Sequence, residues 1–268
     1  NRHNSRSGGV CIGVKNDLSK GIMPVCTKSC QDIVAIRLKK HFFAISNDII
    51  MINVYDSPLN SSYKQRYSEE QSTLDYVSDV IQNISNNTEV ITMGDFNARI
   101  GLLSDQMDPH FDPTNDAPVA YSKVLPERSS KDLKVNANGK PFLEFIKSND
   151  LSILNGRTLG DIFGEATCIK YNGSSLVDYV SVSRAILDNV NSLYVGDLNY
   201  LSDHCPISLS LGLDCHRTLL SDENNLHFSD APVAYKWKDD VSLGTAASRF
   251  YNAQDDELLQ QSISTLVN

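Results

Sequence analysis

The chain predicts an α/β fold, a layered sandwich of two packed, mostly antiparallel sheets with helices on their outer faces. Three observations lead there. Short β-rich runs recur from Ser7 to about Gly212, only two segments carry helical spacing, and each of those helices lies between strand runs. An alternating parallel α/β fold fits this pattern less well.

The first strand candidates are 9–14, 33–38, 42–46 and 49–55, of which the first two and the last alternate or run apolar with β-branched residues. Asn47-Asp48, between two of them, suggests a tight hairpin. A helix then follows Ser68, which can cap the turn Glu69-Glu70-Gln71, where acidic side chains suit the positive end of the helix dipole. Leu74, Val77, Ile81 and Ile84 recur at three- and four-residue spacing and form one buried stripe, and Asn86-Asn87 ends the helix. Residues 90–93 are a largely apolar strand leading into Gly94-Asp95-Phe96-Asn97, after which 102–134, rich in Asp, Pro and Ser, is expected to be a long exposed loop. The second helix follows Gly139-Lys140-Pro141 and turns Phe142, Phe145 and Ile146 inward. Later strands are 152–154, 166–169, 176–182, 192–195 and 205–211. The hexapeptide DAPVAY occurs twice, at 116–121 and 230–235, too short for a structural repeat.

Strand signals stop after Gly212, which places a domain over 1–212 and a polar linker over 213–268. Asp plus Glu exceed Lys plus Arg by 33 to 24, a net charge of −9, which argues against binding nucleic acid by bulk positive charge but leaves room for local basic patches or a metal among the carboxylates. The six cysteines form neither CxxC nor a Cys/His zinc spacing and read as reduced thiols of a nuclear or cytoplasmic protein. No apolar run approaches the roughly 20 residues needed to span a bilayer, so no membrane partner is expected. The opening NRHNSRSGGV has neither an initiator Met nor a signal-peptide core, and the chain is expected to be a piece of a longer one.

Chemistry-bearing residues gather at strand ends: Tyr55, the pair Asp95 and Asn97, Asp178, and the pair Asp203 and His204. Together they supply carboxylates, an amide, a phenol and an imidazole. Metal-assisted phosphoester hydrolysis needs that inventory, with hard oxygen ligands for Mg²⁺, a base for water and donors for phosphate charge. Each residue also has a plainer role available, since Tyr55 can pack at a strand end and Gly94-Asp95-Phe96-Asn97 can be a turn. The i, i+2 spacing of Asp95 and Asn97 nevertheless sends both side chains one way while Phe96 enters the core. Asp178 inside Leu-Val-Asp-Tyr-Val would be costly to bury alone, and a histidine is its natural partner. A lone His204 before an apolar run is more often a core residue than a catalyst. There is no Walker loop, dinucleotide fingerprint or nucleophile with an adjacent base.

Read together, the motifs resemble the endonuclease/exonuclease/phosphatase superfamily. NVYDSP at 53–58, GDFNARIG at 94–101, LVDYVSVS at 176–183 and SDHCPI at 202–207 look like its Tyr, Asp/Asn, Asp and terminal Asp-His segments, over about three quarters of the chain. SGGVCIGVK, ILNGRTLGD and the GSSLVDY hairpin resemble more narrowly the apurinic-type endonuclease domain of non-LTR (LINE-like) retrotransposons. YKW at 235–237 is similar to the linker such polyproteins carry before reverse transcriptase. The resemblance implies a DNase I-like four-layer sandwich, and a Mg²⁺-dependent endonuclease (with Mn²⁺ as a substitute) that nicks target DNA, joined to a reverse transcriptase domain in the same polyprotein.

It also implies roles. Asp95 would position or deprotonate water, Asn97 orient it and bond the phosphate, and Tyr55 contact the phosphate. His204, held by Asp178, would donate to the scissile oxygen. Asp203, with Asp95 and Asn97, would hold the metal, and Lys170 and Tyr171 in the hairpin would touch DNA. The family's first two site residues, an Asn and a metal-binding Glu, have no match in this chain, so this piece alone is expected to nick poorly or not at all. Two other readings stay open: the same fold acting on RNA, an inositol phosphate or a lipid headgroup, and a catalytically dead, retroelement-derived binding module.

Overall fold

The computed structural model describes residues 9–25, 30, 32–61, 71–84, 87–106, 125–199 and 201–212. The chain divides after Thr218, and every described residue belongs to the first unit. The cap expected at Ser68, both DAPVAY copies and the 213–268 linker lie outside the described residues, while the helix expected to run to Asn86-Asn87 stops at Gln82 with Asn83 as its C-cap, so Ile84 packs from beyond the helix.

After a 3₁₀ turn at Asn16–Gly21 come β1 (Ile22–Val25), β2 (Ile33–Leu38), a short α1 (Lys40–Phe43), β3 (Asp48–Tyr55), α2 (Thr73–Gln82), β4 (Thr88–Asp95) and α3 (Gly139–Ser148). They are followed by β5 (Leu151–Ile153), β6 (Cys168–Lys170), β7 (Gly173–Ser175), β8 (Asp178–Ser183), a 3₁₀ turn at Arg184–Asn189, β9 (Val190–Val195) and β10 (Ile207–Leu211). Six strands make one mixed sheet in the order β1-β2-β3-β4-β8-β5. Among these six only β3 and β4 run parallel, and α2 lies on the crossover that parallel pairing requires.

Both faces of this sheet are buried, so its strands are nearly continuous in apolar residues. Alternation along β3 sends Ile50, Ile52 and Val54 into one core with Leu74 and Val77 of α2 and Phe142, Phe145 and Ile146 of α3. Ile49 and Met51 face a second core shared with Ile91, Val182 and Ile186 and with Leu193, Leu209 and Leu211 of the β9–β10 pair. A helical layer, the six-stranded sheet and a two-stranded layer are therefore stacked among the described residues. Each fully buried Ile contributes roughly 2 kcal/mol of apolar transfer.

Several expectations are corrected. Residues 42–46 are no strand: the Asp48 carboxylate accepts the Lys40 N–H at 2.9 Å and the Arg37 guanidinium at 3.1 Å, which stabilises a helical turn closed by Ala44 at φ 50°. The connection from β2 to β3 is that turn rather than a two-residue hairpin at Asn47-Asp48. Residues 9–14 form no strand and join no sheet; Ile12 and Val14 pack on the second core instead. β1 was hidden in the sequence by Pro24, which an edge strand tolerates. Helix α2 starts from Ser72, where a capping box pairs its hydroxyl with the Asp75 N–H and the Asp75 carboxylate with the Ser72 N–H. The 102–134 segment is not wholly exposed, since Asp105, Arg128 and Asp132 are buried. Among the described residues no helix is long and apolar enough to cross a membrane.

Candidate active site

Three neighbouring strands end at one level. Tyr55 is in register with Asp95 across the parallel β3–β4 pair, and Asp95 is in register with Asp178 across the antiparallel β4–β8 pair. Strand alternation puts all three side chains on the face that carries the second core, at its open end. His204, from the loop before β10, closes over them: its Nδ1 lies 2.8 Å from Asp178 Oδ2 and 3.0 Å from Oδ1. Donor atoms of Asp95, Asp178 and His204 fall within 4.8 Å of one another.

The turn after β4 builds the next part. Gly94 takes φ 138°, and an added Cβ there would sit 1.9 Å from the Val54 carbonyl oxygen, so β3 and β4 approach as closely as they do only because this residue is glycine. Phe96 is fully buried, with its ring 4.6 Å from Phe142, which in turn lies 4.9 Å from Tyr179. Such aromatic pairs add roughly 1 kcal/mol each beyond area burial and anchor the strand end from behind. Asn97 then adopts φ 48°, a left-handed conformation that Asn tolerates better than most residues. Its backbone N–H donates to Asp95 Oδ1 at 2.9 Å, and its Nδ2 donates to Asp95 Oδ2 at 3.1 Å and to the Asp56 carbonyl at 3.0 Å.

Burial and the neighbouring Asp178 push the Asp95 carboxyl up to about 6, against the pull of the Asn97 N–H and of His204. The hydrogen bond that the His204 ring donates to the Asp178 carboxylate raises the imidazole above its ordinary value, which outweighs its desolvation. Burial first, and then the charge of Asp95, raise the Tyr55 phenol. At neutral pH the site therefore holds a carboxyl poised near titration, a phenol kept protonated and a histidine biased toward its charged form.

Asp203 is placed elsewhere. Its carboxylate is exposed, lies 3.3 Å from Lys170 Nζ, and is held below its ordinary value by that ammonium. It groups with Cys168 and His204 rather than with Asp95. Tyr171 stands fully exposed at the tip of the β6–β7 hairpin. Between hairpin and site runs a groove of about 320 Å³ lined by Asn97, Arg99, Lys134, Lys170, Ser174 and His204 among others. Three cations thus line this groove, of which Arg99 is paired with Asp132 and Lys170 with Asp203.

Supporting residues gave little sequence signal. Thr167 is fully buried, and its hydroxyl accepts the N–H groups of Val177 and Asp178, aiming the start of β8. Asn155, also fully buried, bonds the Asp178 carbonyl through Nδ2 and the Val180 N–H through Oδ1. Asn138 ties the Asp56 carboxylate and the carbonyls of Ser57 and Phe96 to the start of α3. Arg99 makes a two-pronged bridge to Asp132 at 2.5 and 2.7 Å. A single Thr or Asn in a loop has no periodicity to betray it.

A profile of a family described as endonuclease-reverse transcriptase matches residues 49–208. No curated protein matches the chain. Among solved structures, the endonuclease domain of TRAS1, a telomere-specific non-LTR retrotransposon, is 15% identical with a TM-score of 0.48, over 74% of this chain and 70% of that one. The 3'-5' exonuclease NExo from Neisseria meningitidis is 15% identical at a TM-score of 0.43, over 68% of this chain and 65% of that one. The AP endonuclease LMAP from Leishmania major is 13% identical at a TM-score of 0.43, over 67% and 54%.

Proposed function

Because the chain belongs to the endonuclease-reverse transcriptase family, whose members are phosphodiester-hydrolysing and typically metal-dependent nucleases that act on DNA, we propose that it serves a Mg²⁺-dependent DNA endonuclease making the nick from which a retroelement primes reverse transcription, and that by itself, without the family's Asn and metal-binding Glu, it nicks poorly or not at all. The observation that carries this is the convergence of Tyr55, Asp95 and Asp178 at three adjacent strand ends under His204. On this proposal the fold is the four-layer sandwich, the nuclease works inside the cell, and 213–268 leads toward a reverse transcriptase domain in the same polyprotein.

The donor set suits a hard cation: carboxylate oxygens of Asp95 and the amide oxygen of Asn97 are the ligand types Mg²⁺ and Mn²⁺ prefer, whereas the Asp203 carboxylate is engaged with Lys170 on the Cys168 side of His204. Bound there, the ion would offset phosphate charge and ease deprotonation of water. The chain's own groups do the rest. Asp95, titrating near 6, accepts a proton from the attacking water at neutral pH. Asn97, held by two bonds to Asp95, keeps that carboxylate in one orientation. Asp178 fixes the His204 ring through Nδ1 and leaves Nε2 to donate to the phosphate oxygen as charge builds. The Tyr55 phenol, kept protonated, is a second donor. Arg99, Lys134 and Lys170 line the groove where flanking phosphates would lie, and Tyr171 projects far enough to contact a duplex groove.

Supercoiled-plasmid nicking in Mg²⁺ tests the proposal, run on the chain alone and on the chain joined to whatever coding sequence precedes Asn1. Nicking that falls at least about a hundredfold in His204→Ala and Asp178→Asn is the expected result. Nicking unaffected by either substitution, or absent in both forms of the protein, refutes it, and retained duplex binding without nicking would mark a binding module instead.

A further inference from the structure

Cys168 is a buried thiol with no part in the chemistry above, yet it faces the catalytic histidine. Cys168 and His204 sit opposite each other in an isolated antiparallel bridge. The bonds that hold it, Ile169 N–H to the Asp203 carbonyl at 2.8 Å and Cys205 N–H to the Thr167 carbonyl at 2.7 Å, flank the pair instead of joining it. This is the non-hydrogen-bonded kind of pairing, in which facing side chains stand closest. One donor atom each of Cys168, Asp203 and His204 accordingly lies within 4.8 Å of the others. Cys168 and His204 both line the groove, which gives the thiol a path to solvent.

We propose that Cys168, Asp203 and His204 form a second metal site, selective for a thiophilic divalent ion such as Zn²⁺, with water as the fourth ligand. Thiolate, imidazole and one carboxylate are donors that zinc accepts and Mg²⁺ does not seek, and the Cys168 thiol, which burial keeps protonated, gives its proton to solvent through the groove as the ion binds. Tetrahedral zinc holds its ligand atoms about 3.3–3.8 Å apart, inside the 4.8 Å that bounds this set, so any closing movement is small. The exposed Asp203 can supply that movement by turning away from Lys170. Asp178 on Nδ1 is the carboxylate support that zinc-binding histidines commonly carry. Since His204 belongs to this set and to the one with Asp95 and Asp178, zinc here takes the histidine that hydrolysis needs. That inhibitory consequence rests on the nuclease function; the binding itself does not.

Co²⁺ serves as the spectroscopic probe on the chain as it stands. One equivalent should produce a thiolate-to-cobalt charge-transfer band that Zn²⁺ erases and excess Mg²⁺ leaves. Cys168→Ser should abolish the band, and Cys205→Ser, at the adjacent buried thiol outside the set, should keep it. Asp203→Asn, on an exposed residue that cannot disturb packing, should weaken Co²⁺ binding at least about tenfold. Lys170→Met should tighten it by removing the ammonium that competes for Asp203. A wild type without the band, a band that survives Cys168→Ser or vanishes in Cys205→Ser, or no weakening in Asp203→Asn overturns the proposal, whatever the nicking assay gives.

Discussion

Asp95→Asn should make the metal-free protein more stable at pH 8 while removing the nicking proposed above. In the fold the Asp95 carboxyl titrates at about 6 rather than its ordinary 3.8, because burial and the nearby Asp178 both oppose its charge. The sign follows from linkage: a carboxyl whose pKa is raised by folding favours the fold below its unfolded value and loses that contribution as pH rises through the folded one. Each pKa unit corresponds to about 1.4 kcal/mol, so the ceiling is about 3 kcal/mol. Partial exposure of the side chain brings the expected gain of the amide variant at pH 8 to about 2 kcal/mol, shrinking to about 0.5 kcal/mol at pH 4. The amide oxygen introduced by the substitution can still accept the Asn97 N–H, while its NH2 loses the bond from Asn97 Nδ2, which trims the gain. His204, also raised, loses its contribution in the same direction as pH climbs, and since part of its rise comes from the Asp95 charge, the variant keeps a smaller His204 slope. Urea unfolding in EDTA at pH 4, 6 and 8 measures the difference. A variant less stable than wild type at pH 8, or a difference independent of pH, would show that Asp95 is not the strained, ligand-seeking carboxylate described. Added Mg²⁺ should stabilise the wild type and not the variant.

Three further outcomes are expected. Asp105→Ala should cost about 3–5 kcal/mol in urea unfolding, because Arg157, which is 4% exposed and bonded to Asp105 at 2.5 Å, would be left as an unpaired buried charge; Arg157→Met in the same background should recover part of the loss. Gly94→Ala should unfold the protein or lower its stability by about 4 kcal/mol or more, since the new methyl has nowhere to go against the Val54 carbonyl, and a soluble variant with wild-type melting would contradict that geometry. Tyr171→Ala should leave the melting temperature unchanged and weaken duplex binding roughly tenfold, read by fluorescence anisotropy.

The reach of sequence reasoning differs from one element to the next. β3 and β4 were legible because both faces of the central sheet are buried, which leaves unbroken runs of Ile, Val and Met that a composition scan detects. Helix α3 was legible because Phe142, Phe145 and Ile146 repeat at helical spacing. The 42–46 run misled because its apolar residues carry no period, and the deciding contact comes from Asp48, beyond the run itself. β1 was illegible because pairing with β2 outweighs the poor strand propensity of Pro24, and propensity alone does not see a partner. At the site, Asp95 and Asn97 stood out through their spacing around Phe96, whereas Thr167 and Asn155, which aim Asp178, are single polar residues whose meaning lies in the backbone groups they satisfy.

By itself, the sequence determined which chemistry the chain can offer, since carboxylates, an amide, a phenol and an imidazole at strand ends are matters of residue type and short-range spacing. Only the tertiary structure decided which of them meet. Asp178 and His204 are 26 positions apart, and their 2.8 Å contact depends on β8 lying beside β4 while the 202–205 loop bridges back to Cys168. The same bridge separates Asp203 from Asp95 and sets it near a thiol. Local propensity acts over a turn of chain, whereas a ligand set is defined by strand register across a sheet, and register is settled by the packing of two cores that no short segment contains.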